Sequence, residues 1–245
     1  MSNVISSRIH NLIKLYENQN FKKLEKECYK LINNNLKSSI IYNFLGVSLT
    51  RQQKLKKAIS IFSNALHVDN KNIDILINLA LAQKEANLLN ESIETNNRAI
   101  KINPNSFEAY VNLSDLYIKL KNYFEALKCA RHASILNPDS PEAFCNIGNA
   151  FFGMQNYKLA EENYTKSLHL NPNSTFISHN LAITQMKLGK YNEAVIFLKN
   201  NLNQENKYLE SQIDLALCFF ELGELEKSII EHKKAITYLP RNYEA

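Results

Sequence analysis

Five polar residues recur at one fixed interval: Asn78, Asn112, Asn146, Asn180 and then Asp214 stand 34 residues apart. A carboxamide carries both a donor and an acceptor, so a column of them can pair with a peptide N–H and C=O without reading side chains. Asp115 and Asn149 keep the same interval three residues further on, and Cys145 and His179 keep it one residue earlier. A Cys–His pair can be a nucleophile with its base or half a metal site. No orienting third group accompanies this one, so ordinary polar contacts are its expected use. The four cysteines (Cys28, Cys129, Cys145, Cys218) form no C-x-x-C. Neither a disulfide framework nor a zinc site is expected, and a reducing compartment fits best. The chain has no phosphate loop, no His-Glu zinc helix and no triad motif, so no catalytic residue, metal or cofactor is expected.

Charge adds little to that chemistry. Lys and Arg total 29 and Asp and Glu 24 over 245 residues, unevenly placed. Residues 1–72 hold 12 basic against 4 acidic side chains; residues 73–245 hold 17 against 20. Lys22, Lys23, Lys26 and Lys30 recur at helical spacing but lack the aromatic interleaving of single-strand binders. They read as a solvated helix face, and nucleic acid is not an expected partner. The start, MSNVISSRIHNLIKLYENQN, has no long apolar run, so no signal peptide is read. No segment approaches a membrane span, and the expected location is cytoplasmic. Asn163 and Asn173 open Asn-x-Thr patterns, which carry no weight without a secretory signal.

The 34-residue interval is a property of the whole chain, and it dictates the elements. With Pro141 as position 1, one unit shows Phe144, Ile147-Gly148, Phe151, Tyr157, Ala160, Tyr164, Leu168 and Pro172. One step back lie Tyr110, Leu113-Ser114, Tyr117, Tyr123, Ala126, Ala130 and Pro138; two steps forward lie Leu215-Ala216, Phe219, Gly223, Leu225, Ser228 and Pro240. Positions 4, 7, 8 and 11 form one face of a helix, and positions 17, 20, 21, 24, 27 and 28 one face of a second. The segment Gly153-Met154-Gln155-Asn156, with Gly189 and Gly223, predicts the break between them. Asn-Pro at 103–104, 137–138 and 171–172 ends the second helix, since the residue before proline leaves the helical region. Small residues at positions 8 and 20 let the two backbones approach. A lone helix pair cannot cover its own apolar stripe, so neighbouring pairs must stack.

These offsets of small, aromatic and proline residues resemble the tetratricopeptide repeat. The resemblance covers essentially all of the chain. It implies an all-α, right-handed superhelical solenoid of antiparallel helix pairs. Residues 1–38 form a divergent N-terminal repeat or cap, 39–242 six tandem repeats, and 243–245 the start of a further, truncated repeat. In the first unit Leu12, Leu24 and Leu31 stand where small residues belong, and Leu36 where proline belongs. In this family the first helix of each unit lines the concave groove with positions 2, 5, 6, 9, 12 and 13. That places Asn78, Asn112, Asn146, Asn180 and Asp214 at position 6, and Asp115 and Asn149 at position 9. The column is similar to the asparagine ladder in the repeat region of protein O-GlcNAc transferases.

The expected function is a protein- or peptide-binding scaffold that holds an extended segment in the groove. Two other readings stay open: the substrate-recruiting repeat region of a larger glycosyltransferase or sulfotransferase, and an oligomerisation element with no groove ligand. Self-association is expected through the last helix, where Ile229, His232, Ala235, Ile236 and Leu239 share one side. The sixth unit, with Ser178, Gln185 and Asn201 at core positions and Asn206 in place of proline, is expected to be the loosest.

Overall fold

The computed structural model describes residues 2–36, 38–204 and 209–238. Among these it contains fourteen α-helices: α1 Ser2–Glu17, α2 Phe21–Asn33, α3 Ser39–Arg51, α4 Leu55–Val68, α5 Ile73–Glu85, α6 Leu89–Ile102, α7 Phe107–Lys119, α8 Tyr123–Leu136, α9 Pro141–Gly153, α10 Tyr157–Leu170, α11 Thr175–Lys187, α12 Tyr191–Gln204, α13 Leu209–Glu221 and α14 Leu225–Tyr238. From Ser39 onward every first helix begins 34 residues after the last, and so does every second helix from Phe21 onward. The helices pack as sequential antiparallel pairs, and second helices also lie against the next first helix, as α4 does against α5 and α10 against α11. Leu239, Tyr243–Ala245 and Asn206 lie outside the described residues.

The chain forms two compact units, residues 1–116 and 117–245. The first has one core, built on Leu12, Leu24, Cys28, Leu45, Phe62 and Leu76 among others. The second has two clusters, one around Phe151, Ala160 and Tyr164, the other around Leu198, Leu215 and Phe219. No helix among the described residues is long and apolar enough to cross a membrane.

The break inside each repeat falls where the sequence places it and follows one rule. Position 15 has positive φ in every repeat: Gln19, Gln53, Asn87, Lys121 and Gln155 lie between 53° and 61°, and Gly189 and Gly223 at 73° and 76°. Only the last two repeats use the residue that favours this region. Gly153, expected in the break, is instead the last residue of α9. Its bare Cα faces the ring of Tyr123, where a Cβ could not fit. After the break, Asn20, Asn122 and Asn156 accept the backbone N–H three residues on and cap the second helix. Asn103 and Asn137 close the repeat, each accepting from the backbone N–H two residues later, a turn the following proline reinforces.

Helix pairs fit by exchanging volume between positions 8 and 24. Gly46 lies under Phe62 and Gly148 under Tyr164, each leaving no room for a Cβ. Where position 8 carries Ala80 or Ala182, position 24 carries the smaller Asn96 or Leu198. The first repeat inverts the pair: Leu12 fills position 8 and Cys28 position 24, both fully buried in one core. That inversion explains why a leucine is tolerated where small residues belong. Polar residues at position 20 are satisfied across the pair, since Ser92 donates to the Ala80 carbonyl at 2.6 Å and Ser228 to the Ala216 carbonyl at 2.8 Å.

Candidate binding face on the first helices

Within each unit the first helices lie side by side, α1 on α3 and α3 on α5 in residues 1–116, and α11 on α13 in residues 117–245. Their helical period turns positions 5, 6, 9, 12 and 13 to one side of that layer. The predicted site residues fall on it and do not all behave alike.

In residues 1–116, Asn78 is half-buried and its Nδ2 donates to Oδ1 of Asn43 at 3.0 Å. Asn43 occupies position 5 of the preceding repeat, and the position-6 column alone does not reveal it. The signal was available as a second asparagine 35 residues earlier. Lys84 at position 12 donates to Asp115 Oδ2 at 2.7 Å, so Asp115 is held in an ion pair with the neighbouring first helix. Asn112 is half-buried on α7. A pocket of about 230 Å³ opens between α1, α3 and α5, walled by Tyr16, Phe44, Val47 and Leu81 with Asn43 and Asn78. Tyr16 meets Phe44 edge to face at 6.1 Å.

In residues 117–245 the amides Asn149 and Asn180 are half-buried and bonded to each other. Oδ1 of Asn149 accepts from the Tyr164 hydroxyl at 2.6 Å and from Asn180 Nδ2 at 3.4 Å. Its Nδ2 lies 3.9 Å from the Cys145 sulfur. Burial, with the adjacent Cys145, pushes the Tyr164 phenol far above its ordinary range, so the tyrosine stays a donor to Asn149. Asn146 is buried.

His179 also turns inward. Its Nδ1 lies 3.1 Å from Ser211 Oγ, and its Nε2 3.5 Å from Asp214 Oδ2. Burial holds the His179 imidazole below its usual pKa, against the pull of Asp214 and Glu210. Burial likewise raises the Asp214 carboxyl, against the pull of His179. Both directions say that desolvation outweighs mutual attraction, so this is a buried polar contact and not a strong ion pair. The serine, histidine and carboxylate order resembles a triad in types only. Ser211 has no exposed surface, and its hydroxyl reaches Nδ1 while the carboxylate sits at Nε2, so no open nucleophile results. All four cysteines are buried thiols. Burial pushes the Cys28 and Cys218 thiols up to about 12 and Cys129 up to about 11, which disfavours the reactive thiolate. Among the described residues no group of three or more His, Cys, Asp or Glu side chains could hold a metal ion.

Residues 95–128 and 141–174 each match a family model of the tetratricopeptide repeat. The chain contains tetratricopeptide repeats. The second matched segment begins at Pro141 and covers one repeat from α9 to the Asn-Pro turn. Solved tetratricopeptide structures share this fold. A repeat protein from Parabacteroides merdae is 20% identical, with a TM-score of 0.76 over 97% of this chain and 94% of that one. A chain of the APC/C hetero-tetramer Cut9–Hcn1 is 17% identical with a TM-score of 0.79; it matches 95% of this chain, which spans 46% of its length. YrrB, described as a tetratricopeptide protein with an unusual peptide-binding site, is 19% identical with a TM-score of 0.60 over 74% of this chain and 93% of that one. At such identities the likeness is one of fold. No curated protein matches the chain.

Proposed function

We propose that this tetratricopeptide-repeat chain is a scaffold that holds an extended protein segment along its first helices, with asparagine side chains pairing to the segment's main chain. Tetratricopeptide domains are in general protein-interaction scaffolds, so the coarse reading rests on the repeats themselves. The observation that carries the finer one is the placement of half-buried Asn78 and Asn112 at one position of the successive first helices α5 and α7, and of half-buried Asn180 at the same position of α11 in the second unit. A half-buried amide is pre-positioned yet reachable, and it offers both hydrogen-bonding senses. The same faces expose apolar side chains that a bound segment would cover, notably Ile40 in the first unit and Phe176, Ile213, Leu217 and Phe220 in the second. YrrB shows that a protein of this fold is described as having a peptide-binding site.

The test is fluorescence anisotropy with a panel of labelled, extended peptides, comparing the native chain with Asn112→Ala, Asn180→Ala and the double variant. Each lost amide pairing is expected to cost about 0.5–1.5 kcal/mol, similarly for peptides of different sequence, with unchanged helicity. Peptides that bind the double variant as tightly as the native chain overturn the reading.

A further inference from the structure

The pocket between α1, α3 and α5 has features that the amide column does not explain. At about 230 Å³ it is smaller than the roughly 300–1,000 Å³ of small-molecule sites, a size that suits one side chain and not a cofactor. Its walls are three aromatic rings and two aliphatic groups, Tyr16, Phe44, Phe62, Val47 and Leu81. Arg51 and Glu85 also line it, both exposed, one cation against one anion, so it offers no net charge to a charged group. Asn78 spends one amide hydrogen on Asn43. That leaves an acceptor on Asn78 and a donor on Asn43, the complement of one peptide group. In the second unit, by contrast, the Asn149 Oδ1 is taken by both the Tyr164 hydroxyl and the Asn180 amide.

We propose that this pocket seats one bulky apolar side chain, aliphatic or aromatic, of an extended peptide, whose adjoining peptide group pairs with Asn43 and Asn78. The proposal rests on the main-chain reading above and adds to it a sequence preference. Amides along the first helices accept any residue, and the pocket selects the anchor. Because the lining charges balance, binding there responds little to salt.

The experiment uses the full chain and its amide NMR signals, titrated with N-acetyl-leucinamide, N-acetyl-phenylalaninamide and N-acetyl-glycinamide. The leucine and phenylalanine amides should move the side-chain amides of Asn43 and Asn78 and the signals of Val47 and Leu81 saturably. The glycine amide should bind about ten-fold or more weakly, since it buries no apolar group. Leu81→Asn, which makes the wall polar, and Val47→Phe, which fills the space, should each abolish the preference at unchanged helicity. The same proteins are then tested on extended peptides varied at one residue, where the native chain should favour leucine, isoleucine or phenylalanine. Equal shifts from all three amides, shifts confined to other residues, or a preference that survives both variants overturn the pocket. If peptides bind with no apolar preference and lose affinity only in the Asn112→Ala, Asn180→Ala protein, the pocket fails while the main-chain reading stands. If no peptide binds, both fall.

Discussion

A Cβ placed on Gly148 would stand 2.7 Å from the ring of Tyr164, on the helix it pairs with. The glycine and the tyrosine are therefore one packing unit, and the same relation holds between Gly46 and Phe62. The expected outcome of Gly148→Ala is a loss of about 1–3 kcal/mol from overpacking. The next repeat solves the same contact with Ala182 and Leu198. Gly148→Ala combined with Tyr164→Leu should recover part of the loss, although it gives up the hydroxyl's bond to Asn149. A denaturant-melt double-mutant cycle measures the coupling; strictly additive effects would refute it.

The sixth repeat carries two unpaired polar atoms in its core. Gln185 Oε1 and Asn201 Nδ2 are buried without a hydrogen-bond partner, at about 1–3 kcal/mol each. In a nearest-neighbour array such weakness stays local. Hydrogen exchange across 175–204 is expected to be faster than across 141–172. Position 27, where Asn201 sits, holds alanine as Ala65, Ala99, Ala133 and Ala235 in four other repeats. Asn201→Ala should slow exchange in the sixth repeat alone. No change in exchange, or a change spread evenly over the chain, would count against this account.

Acid should weaken the region around His179. Its folded pKa is lowered from 6.5 by burial, so on acidification the unfolded chain takes up that proton first. Stability supplied by the neutral imidazole is complete above about 6.5 and is lost as pH falls through the folded value. Asp214 has the opposite sign: its raised pKa makes the ionised form costly above its ordinary 3.8. Thermal melts at pH values from about 7 to about 5 should show a fall that is smaller in His179→Asn. An identical fall in both proteins would show that other groups carry it.

The last helix exposes a face that other repeats cover. Ile236 is 65% exposed, whereas Leu66 at the same position of an earlier repeat is 7% exposed. Ile229 is open as well, and together they form a stripe of the kind that associates. Sedimentation at rising concentration is expected to show self-association of the native chain and less of it in an Ile229→Glu, Ile236→Glu variant. Two proteins that stay monomeric alike would refute it.

The repeat period and the two helices of each repeat were legible in the sequence, because a helix that buries one stripe must place apolar residues at a 3.6-residue period. Asn-Pro turns marked the ends for an equally local reason. What local spacing could not supply was the partner of each side chain. The sequence put Asn149 and Asn180 on the binding face, and only packing showed Asn180 and the Tyr164 hydroxyl donating to the same Asn149 oxygen. It set His179 one interval from Cys145 and expected ordinary polar contacts there, and packing supplies two of them in Ser211 and Asp214, further along the array. It placed the break across Gly153 to Asn156, and only the structure showed that Gln155 is its left-handed residue while Gly153 ends the helix and makes room for Tyr123. Asn43 joined Asn78 only in three dimensions, since their contact joins positions 5 and 6 of adjacent first helices. Periodicity is written into one chain segment at a time; hydrogen bonds and cavities depend on the distance between segments, which the stacking of the helices sets.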